Sequence, residues 1–181
     1  MSLRALEGWC CIKLQSQRGQ AVIELALVIP AVIIILAGTI QLARIFYTYH
    51  TLQKALSGGA SLLAKSNNVN YCDAGDPAIL GAQNFIVYGN LQGVGTEILS
   101  GLADFPVQIL PERQDAGTTT LNQCMCTQSD VDSCDVSTGG RAPDFIVVNL
   151  GNGFPLQLPF AFVSLTTINL RVSVRMPVTG G

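Results

Sequence analysis

Apolar residues follow three rhythms along this chain, and each predicts a different element. Residues 25–43 carry no charged side chain. At about 1.5 Å of rise per residue, that run is long enough to cross the ~30 Å hydrocarbon core of a bilayer as a helix. Beyond it, Leu42, Ile45, Phe46, Tyr49, Leu52, Leu56, Ala60 and Leu63 recur at three- and four-residue steps, while Arg44, Thr48, Thr51, Lys54, Ser61 and Lys65 fall mostly elsewhere. This spacing puts one apolar stripe on a helix, so a single long helix leaves the membrane and becomes amphipathic. The third rhythm is alternation near the end of the chain. Ile168, Leu170, Val172, Val174 and Met176 alternate with Asn169, Arg171, Ser173 and Arg175, which predicts a strand with one buried and one wet face, as in an antiparallel sheet.

Between these segments the punctuation is clear. Ser66-Asn67-Asn68 marks the end of the long helix, and Asp76-Pro77 reads as an N-cap with proline in the first turn of a second helix running to about Tyr88. A glycine-rich connection, 89–95, follows. Strands are predicted over 106–110, 118–125, 145–150 and 164–176. The fold class is therefore α+β, with a long N-terminal helix, a short helix and an antiparallel sheet. Two positions inside the long helix resist a regular helix. Gly58-Gly59 costs about 1 kcal/mol per glycine relative to alanine, which predicts either a kink or the close approach of another element. Pro30 frees a carbonyl within the apolar run, tolerable where neighbouring helices or local adjustment satisfy it.

Charge orients the chain. Arg4, Lys13 and Arg18 precede the apolar run and place the N-terminus in the cytoplasm by the positive-inside bias, although Arg44, Lys54 and Lys65 on the far side weaken the asymmetry. The formal net charge of −2 and the absence of a basic stripe argue against nucleic acid as a partner. Glu24 is the one charge set into the mouth of the apolar run. A carboxylate costs roughly 2.5 to 3.5 kcal/mol at the centre of a membrane helix and less near an interface, so it needs either a partner or the headgroups. A cut after Gly19 would make the α-amino group of Gln20 a cation four residues away, or on a neighbouring subunit. A secretory signal peptide cut near Ala37-Gly38 is the competing reading, but such apolar regions are normally only about 7 to 15 residues long. Here the run continues to Arg44, which closes it as an anchor.

Cysteine usage divides at the membrane. Cys10 and Cys11 precede the span, where the cytosol keeps thiols reduced; Cys72, Cys124, Cys126 and Cys134 lie beyond it. An even set in an exported domain implies two disulfides. A bridge from Cys124 to Cys126 would strain so short a loop, which favours Cys72 joined to one of them and Cys134 to the other. A metal site is the alternative use of Cys124, Cys126 and Cys134, but no histidine lies near and the spacing is not that of a zinc ribbon.

Little in the chain points to catalysis. His50, the only histidine, falls in the Tyr47-Thr48-Tyr49-His50 cluster just beyond the span, where aromatic residues anchor in the interface. Gly93-Val94-Gly95 and Gly151-Asn152-Gly153 lack the longer fingerprint of a phosphate loop and read as turns. Asp130, Asp132 and Asp135 surround Cys134 without the glycine and distant glutamate of an EF-hand, so a solvated loop is the default. No cofactor is implied.

Taken together, Arg18, Gly19, Glu24, Pro30, Gly38, Arg44, Gly59 and Ala60 resemble the N-terminal signature of the TadE-like pseudopilins of the tight-adherence (Tad, or Flp) pilus system. The resemblance covers roughly a quarter of the chain. Gln41 stands where an acidic residue is frequent in that family, and Ser61 where arginine is common. The resemblance implies a leader, 1–19, removed by a prepilin peptidase between Gly19 and Gln20; a transmembrane helix, 20–46; its periplasmic extension, 47–66; and an outer α+β domain, 67–181. The protein would be the peptidase's substrate and no enzyme itself. It would sit in the bacterial inner membrane with its C-terminal domain periplasmic or extracellular, alongside other pilin-like subunits and the pilus secretion machinery. Glu24 would pair with a neighbour's amino terminus and set the axial register. An amino-terminal glutamine can also cyclise and lose its charge. A minor pilin is the expected role; a major filament subunit and a membrane-tethered periplasmic thiol or metal protein are the alternatives.

Overall fold

The computed structural model describes residues 17–114, 117, 119–126, 133–157 and 167–179. The basic residues Arg4 and Lys13, the cysteines Cys10 and Cys11, and Asp130 and Asp132 lie outside these residues. The chain divides into two compact units, one ending at Ala43 and the other beginning at Arg44.

Helix α1, Gln17–Lys65, runs through both units. In its first part Pro30 sits inside the helix, as the sequence requires. It removes the amide that would bond the carbonyl of Ala26. Thr39 Oγ1 donates to the carbonyl of Leu36 at 2.8 Å.

In the second unit, the part of α1 beyond Arg44 lays one face on a core shared with helix α2, Pro77–Tyr88, and the strands. That face is Thr48, Leu52, Ala55, Leu56, Gly59, Ala60, Leu63 and Ala64. It is rotated from the stripe read in the sequence. Thr48, assigned there to the polar side, is 9% exposed, whereas Leu42, Phe46 and Tyr49 are exposed. The physical reason is that the glycines at 58 and 59 let α2 approach closely, and apolarity alone does not register smallness. At Gly58 a Cβ would come within 2.7 Å of Phe85 Cε1, and at Gly59 it would collide with Ile86. Of the two expectations for the glycine pair, close packing is the one observed.

Helix α2 is bounded as predicted. Asp76 Oδ1 accepts from the Ala78 amide at 2.8 Å, Pro77 opens the first turn, and Gly89 closes the helix at φ 74°, where its amide donates to the carbonyl of Phe85. That left-handed conformation is open to glycine without steric cost.

The sheet is antiparallel with the order β2-β1-β3-β6, formed by Val107–Gln114, Leu121–Gln123, Phe145–Leu150 and Ser173–Pro177 as β1, β2, β3 and β6. Along β3, Ile146, Val148 and Leu150 are buried and alternate with half-buried Phe145, Val147 and Asn149. Strand β1 extends four residues past its predicted end, through Pro111. The carbonyl of Pro111 accepts from the Cys124 amide on the β2 side at 2.9 Å. Residue amide and carbonyl groups point to the same side of a strand, so the missing amide faces the place where pairing with β2 runs out, and the ladder with β3 continues.

The predicted strand over 164–176 is instead two. Ile168–Leu170 pairs with Phe154–Leu156 as β5 with β4 in a separate two-stranded sheet, and β6 begins only at Ser173. From Leu170 to Val178 the burial alternates as read in the sequence, but Ile168 is exposed. Alternation reports which face a side chain takes; it does not report when a strand changes partner.

Candidate functional site

The features expected to carry function lie at the start of α1. Gly19, Gln20 and Glu24 are all helical and all exposed. A Cβ at Gly19 would meet nothing within 4 Å. Gln20 and Glu24 stand one turn apart, so their side chains share a face, with about 6 Å of rise between them. Beyond them the helix is apolar on every side. Its large hydrophobic residues from Val22 to Leu42 range from 45% exposed at Val32 to 74% at Leu27. A helix with that composition belongs in a bilayer or among other helices. It is the one helix among the described residues long and apolar enough to cross a membrane, and it is compatible with single-pass anchoring. Pro30 and Gly38 lie within this apolar part, and Arg44 stands at its boundary with the second unit.

A second cluster gathers within the second unit. Cys72 is bonded to Cys126 and Cys124 to Cys134. Each of the adjacent cysteines, 124 and 126, therefore has a distant partner, and none of the four thiols is left to hold a metal in this state. The bridge from Cys72 ties the segment between the helices to the end of β2.

Polar contacts reinforce that tie. Asn70 Nδ2 donates to Asp135 Oδ1 at 3.1 Å, the Asn70 amide donates to Asp76 Oδ2 at 2.8 Å, and Asn70 Oδ1 accepts from the Cys72 amide at 3.0 Å. Asp135 Oδ1 also accepts from the hydroxyl of Ser137 at 2.6 Å and its amide at 2.9 Å; these bonds, the hydroxyl's first, hold the carboxyl below its ordinary range. Arg113 Nη2 donates to the carbonyls of Ser133 at 3.2 Å and of Arg141, and lies 3.4 Å from Cys134 Sγ. The arrangement is a structural knot in which Asn70 and Arg113 tie the loop around Cys134 to the segment between the helices and to β1.

The end of α1 is secured twice. The Tyr71 hydroxyl donates to the carbonyl of Leu63 at 3.3 Å, and the Thr179 amide donates to that of Ala64 at 2.9 Å. Helix C-termini leave carbonyls without intrahelical partners, and these two bonds supply them from the following loop and from the segment after β6. Sequence reasoning missed Asn70, Tyr71, Arg113 and Thr179. Only Asn70 carried a signal, as an Asx residue just after a helix end. His50 stacks edge-on to Tyr49 with ring centroids 5.8 Å apart, among residues beyond the apolar run.

Residues 19–61 match the family model described as TadE-like protein. The matched segment opens at Gly19 and closes just after Gly59-Ala60, so it takes in the apolar run and most of the packed stripe but none of the sheet. No curated protein and no solved structure matches the chain.

Proposed function

We propose that this TadE-like chain, associated by its family with the Tad pilus system, is a membrane-anchored pseudopilin: a minor pilin cut after Gly19 that takes part in assembling the pilus. The observation that carries this reading is the uncovered apolar helix that opens with Gly19, Gln20 and Glu24 on exposed positions and passes without interruption into the packed helix of a disulfide-bonded domain. Exposed glycine at the cut, with open space around it, suits a peptidase that must reach the backbone. The disulfides suit an oxidising compartment, which favours a cytoplasmic N-terminus and a periplasmic or surface-exposed outer domain.

In this role the chain is a substrate of the prepilin peptidase and no catalyst. Helices of other pilin-like subunits, with inner-membrane lipid, cover the apolar surface. Glu24 pairs with the amino terminus of a neighbouring subunit. A shift by one turn would leave a charge without a partner among apolar helices, so the pair fixes axial register.

The test is Glu24→Ala. The variant is expected to be extracted from membranes with its terminus at Gln20 and its outer domain folded, while surface pili are lost or sharply reduced. Normal piliation with Glu24→Ala would exclude this role for the carboxylate.

A further inference from the structure

We infer that Gln20, as first residue of the processed chain, is a site of spontaneous lactam formation, and that pairing with Glu24 holds the reaction back. The inference rests on processing after Gly19. Cleavage there turns the backbone nitrogen of Gln20 into a free amine at the first position of α1. The first four amides of a helix have no carbonyl one turn earlier to bond, so the helix itself does not engage this nitrogen. The Gln20 side chain is exposed, so the carboxamide is free to fold back.

The chemistry needs no other reactant. The uncharged amine attacks the Gln20 Cδ, a C–N bond closes the pyrrolidone ring, and the carboxamide C–N bond breaks. Its nitrogen leaves with the proton lost by the amine, as ammonia.

Only the uncharged amine has the lone pair for that attack. A carboxylate nearby favours the ammonium form. Glu24 is one helical turn from Gln20 on the same face, and a neighbouring subunit's Glu24 acts in the same way in a filament. One contact thus sets register and protects the group that makes it. A subunit whose amine is not held ages irreversibly into a form with no cation for Glu24, and that form is excluded from assembly.

The experiment follows the N-terminal peptide of the full chain, made in cells with the peptidase and held in detergent at mildly alkaline pH, by mass spectrometry over time. The expected result is a peptide starting at Gln20 that progressively loses one ammonia, several-fold faster in Glu24→Gln than in the natural chain. A Gln20 terminus that stays intact in both proteins, while a short synthetic peptide of the same first residues converts, overturns the inference. So do equal rates in the two proteins, because Glu24 would then protect nothing. A retained leader is a separate outcome: it removes the processing on which the inference stands.

Discussion

Gly59 of α1 lies so close to Ile86 of α2 that no side chain fits between them. A Cβ at position 59 would overlap the Ile86 side chain and stand 3.1 Å from the carbonyl oxygen of Ala82. Ile86 is fully buried and cannot move aside. The glycine therefore lets the second helix dock on the part of the first that follows Arg44, and this contact gives the second unit its helical layer.

Gly59→Ala is expected to destabilise the second unit by about 1 to 3 kcal/mol, the usual cost of overpacking. The sign is informative, because alanine gains about 1 kcal/mol over glycine in an otherwise unconstrained helix. Gly58→Ala is expected to cost less, since its neighbour Phe85 is only half buried and its ring can swing. Thermal unfolding of the detergent-solubilised protein distinguishes the two.

Tyr71 predicts a loss of stability at alkaline pH. Burial, with a smaller contribution from the Asp76 carboxylate, pushes its hydroxyl from 10 up to about 12. In the unfolded chain the phenol ionises first, so the folded state binds more protons in that interval. The contribution is fully present below pH 10 and is lost as pH rises towards about 12. Tyr71→Phe is expected to flatten this part of the stability profile. At neutral pH it should cost about 0.5 to 1.5 kcal/mol through the lost bond to Leu63. Unfolding midpoints of both proteins across the interval measure both effects.

The two disulfides predict a specific peptide map. Non-reducing digestion should link the Cys72 peptide to Cys126 and the Cys124 peptide to Cys134. Cys72→Ser is expected to cost about 2 to 5 kcal/mol, because it opens the longer of the two loops, 54 residues against 10. Linkage of Cys72 to Cys124 on the map would contradict the arrangement.

Much of this was legible because periodicity reports burial directly. The helix from 77 to 88 was marked at both ends by residues whose backbone chemistry admits little else, Asp76-Pro77 and Gly89. The run over 145–150 declared itself by β-branched density. What failed was whatever depends on a partner. Thr48 enters the buried face because the small residues along that face, not its own polarity, decide where α2 lies. The strand over 168–177 divides because Leu170 and Ser173 find different neighbours. The strand predicted to stop at Leu110 runs on through Pro111, because the nitrogen of that proline faces the place where β2 has already stopped. The start of α1 was read from composition and not from packing. Gly19, Gln20 and Glu24 were singled out from sequence alone, because a lone carboxylate beside a glycine in an apolar run is unusual wherever the chain folds.

The central claim is processing between Gly19 and Gln20, and the intact mass of the membrane-extracted protein tests it most directly. The protein should be made in cells that contain the prepilin peptidase, with fragmentation of its N-terminal peptide. A chain beginning at Gln20, with or without the loss of ammonia, is the predicted result. A retained leader, or a terminus near Gly38, would contradict the account and leave an anchored or secreted domain of another kind.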